Sequence, residues 1–219
     1  MTDQQADVDW RDNGVPVSRM FDDPYYSLDD GLAETRYVFL DGNDLPQRFC
    51  SGFHIAELGF GTGLNFLVAL AAWRAAGTTG KLHFTSFEAY PMPMADLRRA
   101  LSAFDGLAGD VFDGYDTLPA HITGPDFKLN VVFGDVRTTL PTWGGRADAW
   151  FLDGFSPAKN PQMWGADVMA QVGAHTAPHG TCATYTAAGF VRRALGDAGF
   201  AITRHPGFGR KRHMTRGAM

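Results

Sequence analysis

No stretch of this 219-residue chain approaches the roughly 20 consecutive apolar residues that a membrane helix needs. The opening Met1-Thr2-Asp3-Gln4 carries neither the basic nor the apolar region of a secretory signal. Together these absences leave a soluble, cytoplasmic protein with no membrane partner as the expectation. Cysteine is scarce too: Cys50 and Cys182 are too few for a disulfide framework and form no Cys-x-x-Cys pair, which fits a reduced compartment. His175 and His179 have the helical spacing of a metal pair, but Pro178 stands between them and no Cys or acid completes a ligand set, so no metal is expected. Ser156 has no G-x-S-x-G frame, which removes support for acyl chemistry.

Positive charge is also in short supply. The net charge of -5 argues against coating nucleic acid by bulk attraction. The charge is unevenly spread, however. Asp3, Asp7, Asp9, Asp12, Asp22, Asp23, Asp29, Asp30 and Glu34 crowd the beginning, while Arg192, Arg193, Arg204, Arg210, Lys211, Arg212 and Arg216 dominate the end. The basic end is either a phosphate-holding patch or a solvated tail.

What the chain does contain is 45% apolar and 20% charged residues, enough for one sizeable core. We expect a single α/β domain over 51–219 and an N-terminal extension over 1–50. Arg36–Leu40 reads as a strand of that extension, closed by the turn residues Asp41-Gly42-Asn43-Asp44. From Phe53 onward strands alternate with helices. Strands are expected at Phe53–Leu58, Leu82–Phe87, Leu129–Phe133, Ala147–Leu152, Thr181–Thr186 and Phe200–Thr203, with a last one after Arg212. Helices are expected near Leu64–Ala76, Met94–Phe104, Met163–Val172 and Gly189–Ala198. Residues 105–127 hold several Gly and Pro and no clear period, so they read as an irregular excursion. Repeated strand–helix units imply a mostly parallel sheet with its ligand crevice at the carboxyl ends of the strands.

Four acids fall at those ends: Glu57, Glu88, Asp135 and Asp153. The first precedes the most informative segment, Glu57-Leu-Gly59-Phe-Gly61-Thr-Gly63, which joins a strand to an apolar helix. Glycines there permit a tight turn and the close approach of a ligand to backbone N–H groups. The dinucleotide fingerprint is G-x-G-x-x-G with no acid beside the pyrophosphate, whereas this chain has G-x-G-x-G after a carboxylate. The spacing favours S-adenosyl-L-methionine over NAD or FAD, an ordinary tight connection being the alternative. Glu57 can accept from a cationic or hydroxylated ligand group, and Glu88 from the two hydroxyls of a ribose. Asp135 can accept from an exocyclic amine such as that of adenine. Glu88 and Asp135 have an alternative as helix caps. In Asp153-Gly-Phe155-Ser-Pro-Ala-Lys159-Asn160-Pro-Gln-Met-Trp164, Asp153 is expected to face the ligand and Phe155 to stack on a flat acceptor, unless Phe155 and Trp164 are simply core.

These residues resemble the methyltransferase domain of the MnmC/MnmD family, which finishes 5-methylaminomethyl-2-thiouridine at the tRNA wobble position. The resemblance runs nearly end to end. It takes in Phe21-Asp-Asp-Pro-Tyr-Tyr-Ser27, Gly31–Leu40, Glu57–Phe66, Phe87-Glu88, Gly134-Asp135, Trp150–Phe155 and Pro157–Pro161, and continues through Ala188–Arg193 and Gly207–Arg212. It implies a class I S-adenosyl-L-methionine-dependent methyltransferase: a Rossmann-like, mostly parallel seven-stranded sheet with a small N-terminal β extension. It also implies methyl transfer to the 5-aminomethyl nitrogen of a (2-thio)uridine in the tRNA anticodon loop. Asp153 would then be catalytic, and Glu57, Gly59, Gly61, Gly63, Glu88 and Asp135 would bind cofactor. Phe155, Lys159, Asn160, Arg210, Lys211 and Arg212 would bind substrate. In bifunctional members a flavin-dependent oxidoreductase domain follows. No FAD is expected in this chain, and the aminomethyl intermediate would come from such a C-terminal domain or from a separate enzyme. An N-methyltransferase for a protein or small-molecule amine, and a non-catalytic RNA-binding module, are the competing readings.

Overall fold

The computed structural model describes residues 4–27 and 30–219; Asp3 and Asp29 of the N-terminal acidic cluster lie outside the described residues. The chain opens with three short antiparallel strands, β1 (Val8–Trp10), β2 (Pro16–Ser18) and β3 (Asp23–Pro24). Helix α1 (Gly31–Thr35) follows, its N-terminus capped by Asp30, whose carboxylate accepts from the Ala33 N–H at 2.8 Å. The rest alternates as β4 (His54–Leu58), α2 (Leu64–Ala75), β5 (Leu82–Glu88), α3 (Met94–Leu101), β6 (His121–Thr123), β7 (Phe127–Phe133) and α4 (Val136–Thr139). It ends with β8 (Ala147–Leu152), α5 (Ala166–Ala174), β9 (Thr176–Thr184), α6 (Gly189–Asp197), β10 (Ala201–Pro206) and β11 (His213–Ala218).

Strands β4 to β11 form one sheet in the order β10-β11-β9-β8-β4-β5-β7-β6. Pairings β4/β5, β4/β8, β5/β7 and β8/β9 are parallel, while β6, β10 and β11 join antiparallel. The strand order reverses at β4, so a crevice opens above the carboxyl ends of β4, β5 and β8. Alternation along the strands sends neighbours to opposite faces. On β8, Phe151 joins the core beneath α2 with Phe66, Phe84 and Trp73, whereas Trp150 joins Trp164, Val172 and Leu195 on the other face. Helix α2 is apolar on all sides over Phe66–Leu70 because the sheet covers one side and the N-terminal segment the other.

Two expectations fail here. The sheet has eight strands, not seven, because His121–Thr123 inside the expected irregular excursion pairs with the edge of β7. Only Ile122 of those three residues is buried, so the strand has no pattern of its own and exists through its partner. Arg36–Leu40 is a π-helical turn, not a strand, and it continues α1 into a 3-10 turn at Asp41–Asn43. Val38, Phe39 and Leu40 are buried in succession, which a strand with one solvated face cannot do, and Phe39 stacks on Phe151 with ring centroids 5.3 Å apart. The β structure of the N-terminal region lies earlier, in β1 to β3.

Asn43 fastens this helical segment to the sheet. Its amide donates to the carbonyls of Phe39 at 2.9 Å and Trp150 at 3.3 Å, and its oxygen accepts from the Thr181 hydroxyl at 2.7 Å. All of these groups are buried, so losing the amide removes a buried hydrogen bond from each. Asn43→Ala is expected to lower stability by roughly 2–3 kcal/mol in urea unfolding followed by circular dichroism. A loss under about 0.5 kcal/mol would show that the fastening contributes nothing.

Candidate active site

A cavity of about 470 Å³ lies over the reversal point, within the roughly 300–1,000 Å³ usual for small-molecule sites. Its floor is the glycine turn and its walls are the strand ends, the N-terminal segment and the loop between β10 and β11. Gly59 and Gly61 have φ of +86° and +54°, a region that L side chains avoid. A Cβ on Gly59 would stand 3.3 Å from Gly154 Cα, so the turn after β4 can approach the end of β8 only without a side chain. The Gly61 N–H donates at 2.9 Å to Glu88, which also accepts from the Tyr90 N–H at 2.7 Å. Burial raises the Glu88 carboxyl above its ordinary range, and these backbone donors partly offset the effect.

Glu57 does not face the cavity. It is fully buried on the α2 side of β4, where one oxygen accepts from Asn65 at 2.9 Å and the other from Ser86 at 2.6 Å. Burial pushes its carboxyl well above the usual range, against those two hydrogen bonds. The Asn65 amide also donates at 2.7 Å to Asp153, and its oxygen accepts from the Thr35 hydroxyl at 3.0 Å. Asp153 lines the cavity one residue past β8, its second oxygen accepting from the Gly154 N–H at 2.8 Å. Burial pushes Asp153 up to about 6; the hydrogen bonds from Asn65 and Gly154 pull it down, and the charge of Glu34 raises it against a smaller lowering by Lys211.

Phe155 sits in an aromatic wall. Phe21 stacks on it with centroids 4.7 Å apart, and Tyr25 meets it edge-on at 5.1 Å. Trp164 is core, as the alternative reading had it, with its indole N–H bonded to the Phe155 carbonyl. Lys159 pairs with Asp22, and the Ser156 N–H donates to Asp23 at 2.7 Å, so this loop clamps the N-terminal segment. Lys159 and Asn160 lie outside the cavity lining, the Asn160 amide contacting the Met163 sulfur at 3.7 Å. Asp135 also lies outside it: its carboxylate caps α4 through the Arg137 N–H and pairs with the Arg137 side chain, the capping alternative.

The basic end divides. Arg210 and Lys211 line the cavity mouth and Arg212 is exposed beside it. Lys211, with 45% of its side chain exposed, bonds Glu34 at 2.7 Å and lies 4.1 Å over the Tyr185 ring. The Tyr185 hydroxyl in turn donates to the Gly154 carbonyl at 2.8 Å. Sequence reading missed Asn65, Ser86, Thr35 and Tyr185 as site residues. For Asn65 a signal existed: an amide in the first turn of an otherwise apolar helix calls for a buried partner.

Residues 114–219 match the family described as S-adenosyl-L-methionine-dependent methyltransferase. The tRNA 5-methylaminomethyl-2-thiouridine biosynthesis bifunctional protein MnmC of Marinobacter nauticus is 47% identical over 233 residues, covering 99% of this chain and 37% of that protein. Its counterpart in Stutzerimonas stutzeri is 45% identical, covering 98% and 34%. The chain thus spans about a third of the length of the curated relatives it matches. Among solved structures, MNMC2 from Aquifex aeolicus superposes with a TM-score of 0.74 at 23% identity, covering 99% of this chain and 71% of that one. A precorrin-6y C5,15-methyltransferase from Geobacter metallireducens superposes at 0.56 with 12% identity, covering 95% of each. These structural likenesses show the fold, that of class I methyltransferases. Across nearly its whole length the chain is similar to these MnmC proteins, and its residues 114–219 match the S-adenosyl-L-methionine-dependent methyltransferase family.

Proposed function

We propose that this chain methylates the 5-aminomethyl nitrogen of the (2-thio)uridine at the tRNA wobble position, acting in the cytoplasm. The observation that carries this reading is Asp153, held by Asn65 on the wall of a cavity that also presents Glu88 and the glycine turn. The relatives are named for biosynthesis of that nucleoside, which supports the choice of acceptor.

S-adenosyl-L-methionine, when bound, supplies a methyl group on a sulfonium. The chain fits it through carboxylates rather than cations at the glycine turn, as a nucleoside without phosphates requires. Glu88, already oriented by two backbone N–H groups, has lone pairs left for ribose hydroxyls. Gly59 and Gly61 let the ligand lie close to the backbone; Gly63 lies outside the cavity lining, where a Cβ would meet the Phe60 ring at 2.9 Å, and Glu57 contributes indirectly by fixing Asn65. Asp153 accepts an N–H of the acceptor amine and aims its lone pair, and holding the reacting atoms in line is the main source of rate. A carboxylate also favours the unreactive ammonium, so orientation is its role in preference to general base. Phe21 and Phe155 supply the apolar wall for the base, which a single-stranded anticodon loop can present without opening a duplex. Arg210 and Arg212 face the flanking phosphates. A flavin-dependent oxidoreductase, as a further domain or a separate enzyme, supplies the aminomethyl intermediate.

The direct test is labelled methyl transfer to bulk tRNA from a strain lacking the activity, followed by nucleoside analysis. Label in 5-methylaminomethyl-(2-thio)uridine is the expected result; label confined to protein or small amines would replace the acceptor. In the same assay Asp153→Ala should slow single turnovers on the order of a hundredfold while S-adenosylhomocysteine still binds. Asp153→Asn should retain substantial activity, because its carbonyl oxygen still accepts.

Stability should follow the same residue. The Asp153 carboxyl binds its proton more tightly folded than unfolded, so between about pH 4 and 6 the native state holds more protons and stability falls as pH rises. Asparagine carries no such dependence. Between pH 4 and 7 the wild type should therefore lose up to about 2–3 kcal/mol relative to Asp153→Asn, measured by urea unfolding at each pH. A pH-independent difference would mean that the carboxylate is well solvated.

A further inference from the structure

The loop after β8 carries both halves of the proposed acceptor site: Asp153, which takes the amine, and Phe155, which backs the base, stand two residues apart on the cavity wall. Such a pair works only if the loop itself is fixed, because an in-line transfer tolerates little displacement of the acceptor. Part of the fixing comes from the body of the fold. The Gly154 carbonyl accepts from the Tyr185 hydroxyl at 2.8 Å, the Phe155 carbonyl accepts from the Trp164 indole at 2.9 Å, and the Gly154 N–H donates to Asp153 itself.

The next backbone group along is held by the N-terminal segment. The Ser156 N–H, directly after Phe155, donates at 2.7 Å to Asp23. Asp23 opens β3 and pairs there with Ser18 of β2, so its carboxylate is presented from a fixed backbone. Its neighbours at alternate positions serve the same wall. Phe21 stacks on the Phe155 ring with centroids 4.7 Å apart, and Tyr25 meets that ring edge-on at 5.1 Å. Tyr25 also packs on the glycine turn, where a Cβ on Gly61 would meet its ring at 3.2 Å. Asp22, between Phe21 and Asp23, pairs with Lys159, but its side chain is 83% exposed, and an ion pair so open to water contributes little. Asp23, Phe155 and Ser156 all line the cavity; Asp22 and Lys159 do not.

We infer that Asp23 is a positioning residue for methyl transfer: by taking the Ser156 N–H it holds the Phe155 ring against Phe21 and Tyr25, so that a base lying on this wall presents its amine to Asp153. Asp23 acts through the loop and touches neither the methyl group nor the amine. What the contact needs is an accepting oxygen at the right reach, since the N–H opposite it is neutral; a negative charge is not required. The role rests on the acceptor being a nucleobase amine, as proposed above. It gives the N-terminal segment a part in the reaction beyond closing the cavity wall.

The test is single-turnover methylation of an anticodon stem-loop bearing 5-aminomethyluridine, with the RNA concentration varied so that maximal rate and half-saturation are read separately. Binding of S-adenosylhomocysteine is measured in parallel by calorimetry. Asp23→Ala should lower the ratio of maximal rate to half-saturating RNA on the order of tenfold while its affinity for S-adenosylhomocysteine stays within about twofold of wild type. Asp23→Asn keeps an oxygen at the same reach and should stay within about threefold of wild type. Asp23→Glu keeps the charge but is one methylene longer, and should be slower than Asp23→Asn. In a Phe155→Ala background Asp23→Ala should cost little more, because the two side chains act as a unit. The ranking of Asn above Glu decides the matter even if Asp23→Ala does not fold. Asp23→Glu faster than Asp23→Asn would make Asp23 a charge acting directly in the cavity and overturns the role. So does a fully additive loss in the double variant, an Asp23→Ala that matches wild type, or a loss of S-adenosylhomocysteine affinity with RNA half-saturation and maximal rate unchanged. Wild-type enzyme that transfers no methyl group to the amine-bearing RNA would instead overturn the reading of the acceptor, and this role with it.

Discussion

One side-chain amide carries the architecture of the site. Asn65, in the first turn of α2, donates to Glu57 on β4 and to Asp153 past the end of β8, and accepts from Thr35 at the end of α1. Two carboxylates this close in a buried setting would otherwise repel or take up protons. Dividing one NH₂ group between them satisfies both and ties two adjacent parallel strands to the helix above. The geometry requires α2 to begin directly over the strand ends, which explains why the connection is a glycine turn with positive φ at each of its three glycines.

A second consequence concerns the division of labour among the acids. Glu57 and Glu88 both end strands, yet Glu57 spends both oxygens on Asn65 and Ser86 inside the protein, while Glu88 reaches the cavity. Asp135 ends a strand as well, but with Arg137 two residues on it becomes a helix cap. For Asp135, position in the strand order decides the outcome. Strands β4, β5 and β8 meet at the reversal point, whereas Asp135 follows β7, one strand further out.

The N-terminal segment is as much a part of the cavity as the sheet. Phe21 stacks on Phe155, Asp22 pairs with Lys159, and Asp23 receives the Ser156 N–H, so two acids of the N-terminal cluster fasten the loop after β8. Lys159, expected at the substrate, is spent on this clamp. Glu34, another of the early acids, finds its partner in Lys211 near the opposite end of the chain. The charge asymmetry along the sequence is thus partly an arrangement of contacts within the fold.

Local chemistry made much of this protein legible in advance. Alternating apolar runs and their Gly and Pro stops located β4, α2, β5, β8 and α6 to within a few residues, and the acid before the glycine turn pointed to a nucleoside without phosphates. The sequence placed Asp153 at a strand end because Ala147–Leu152 is apolar throughout and stops at Asp153-Gly154. It could not reveal that Arg36–Leu40 is helical, since an Arg-Tyr-Val-Phe-Leu run suits a strand until a sheet face with no free edge meets it. Nor could it pair Asn65 with Asp153 or Lys211 with Glu34, separated by 88 and 177 positions. Composition and periodicity report what each segment can bury on its own. Which polar group answers which is decided only when the sheet order brings distant strand ends together, because a buried hydrogen bond is set by distance in space and leaves no trace in the spacing of either partner's neighbours.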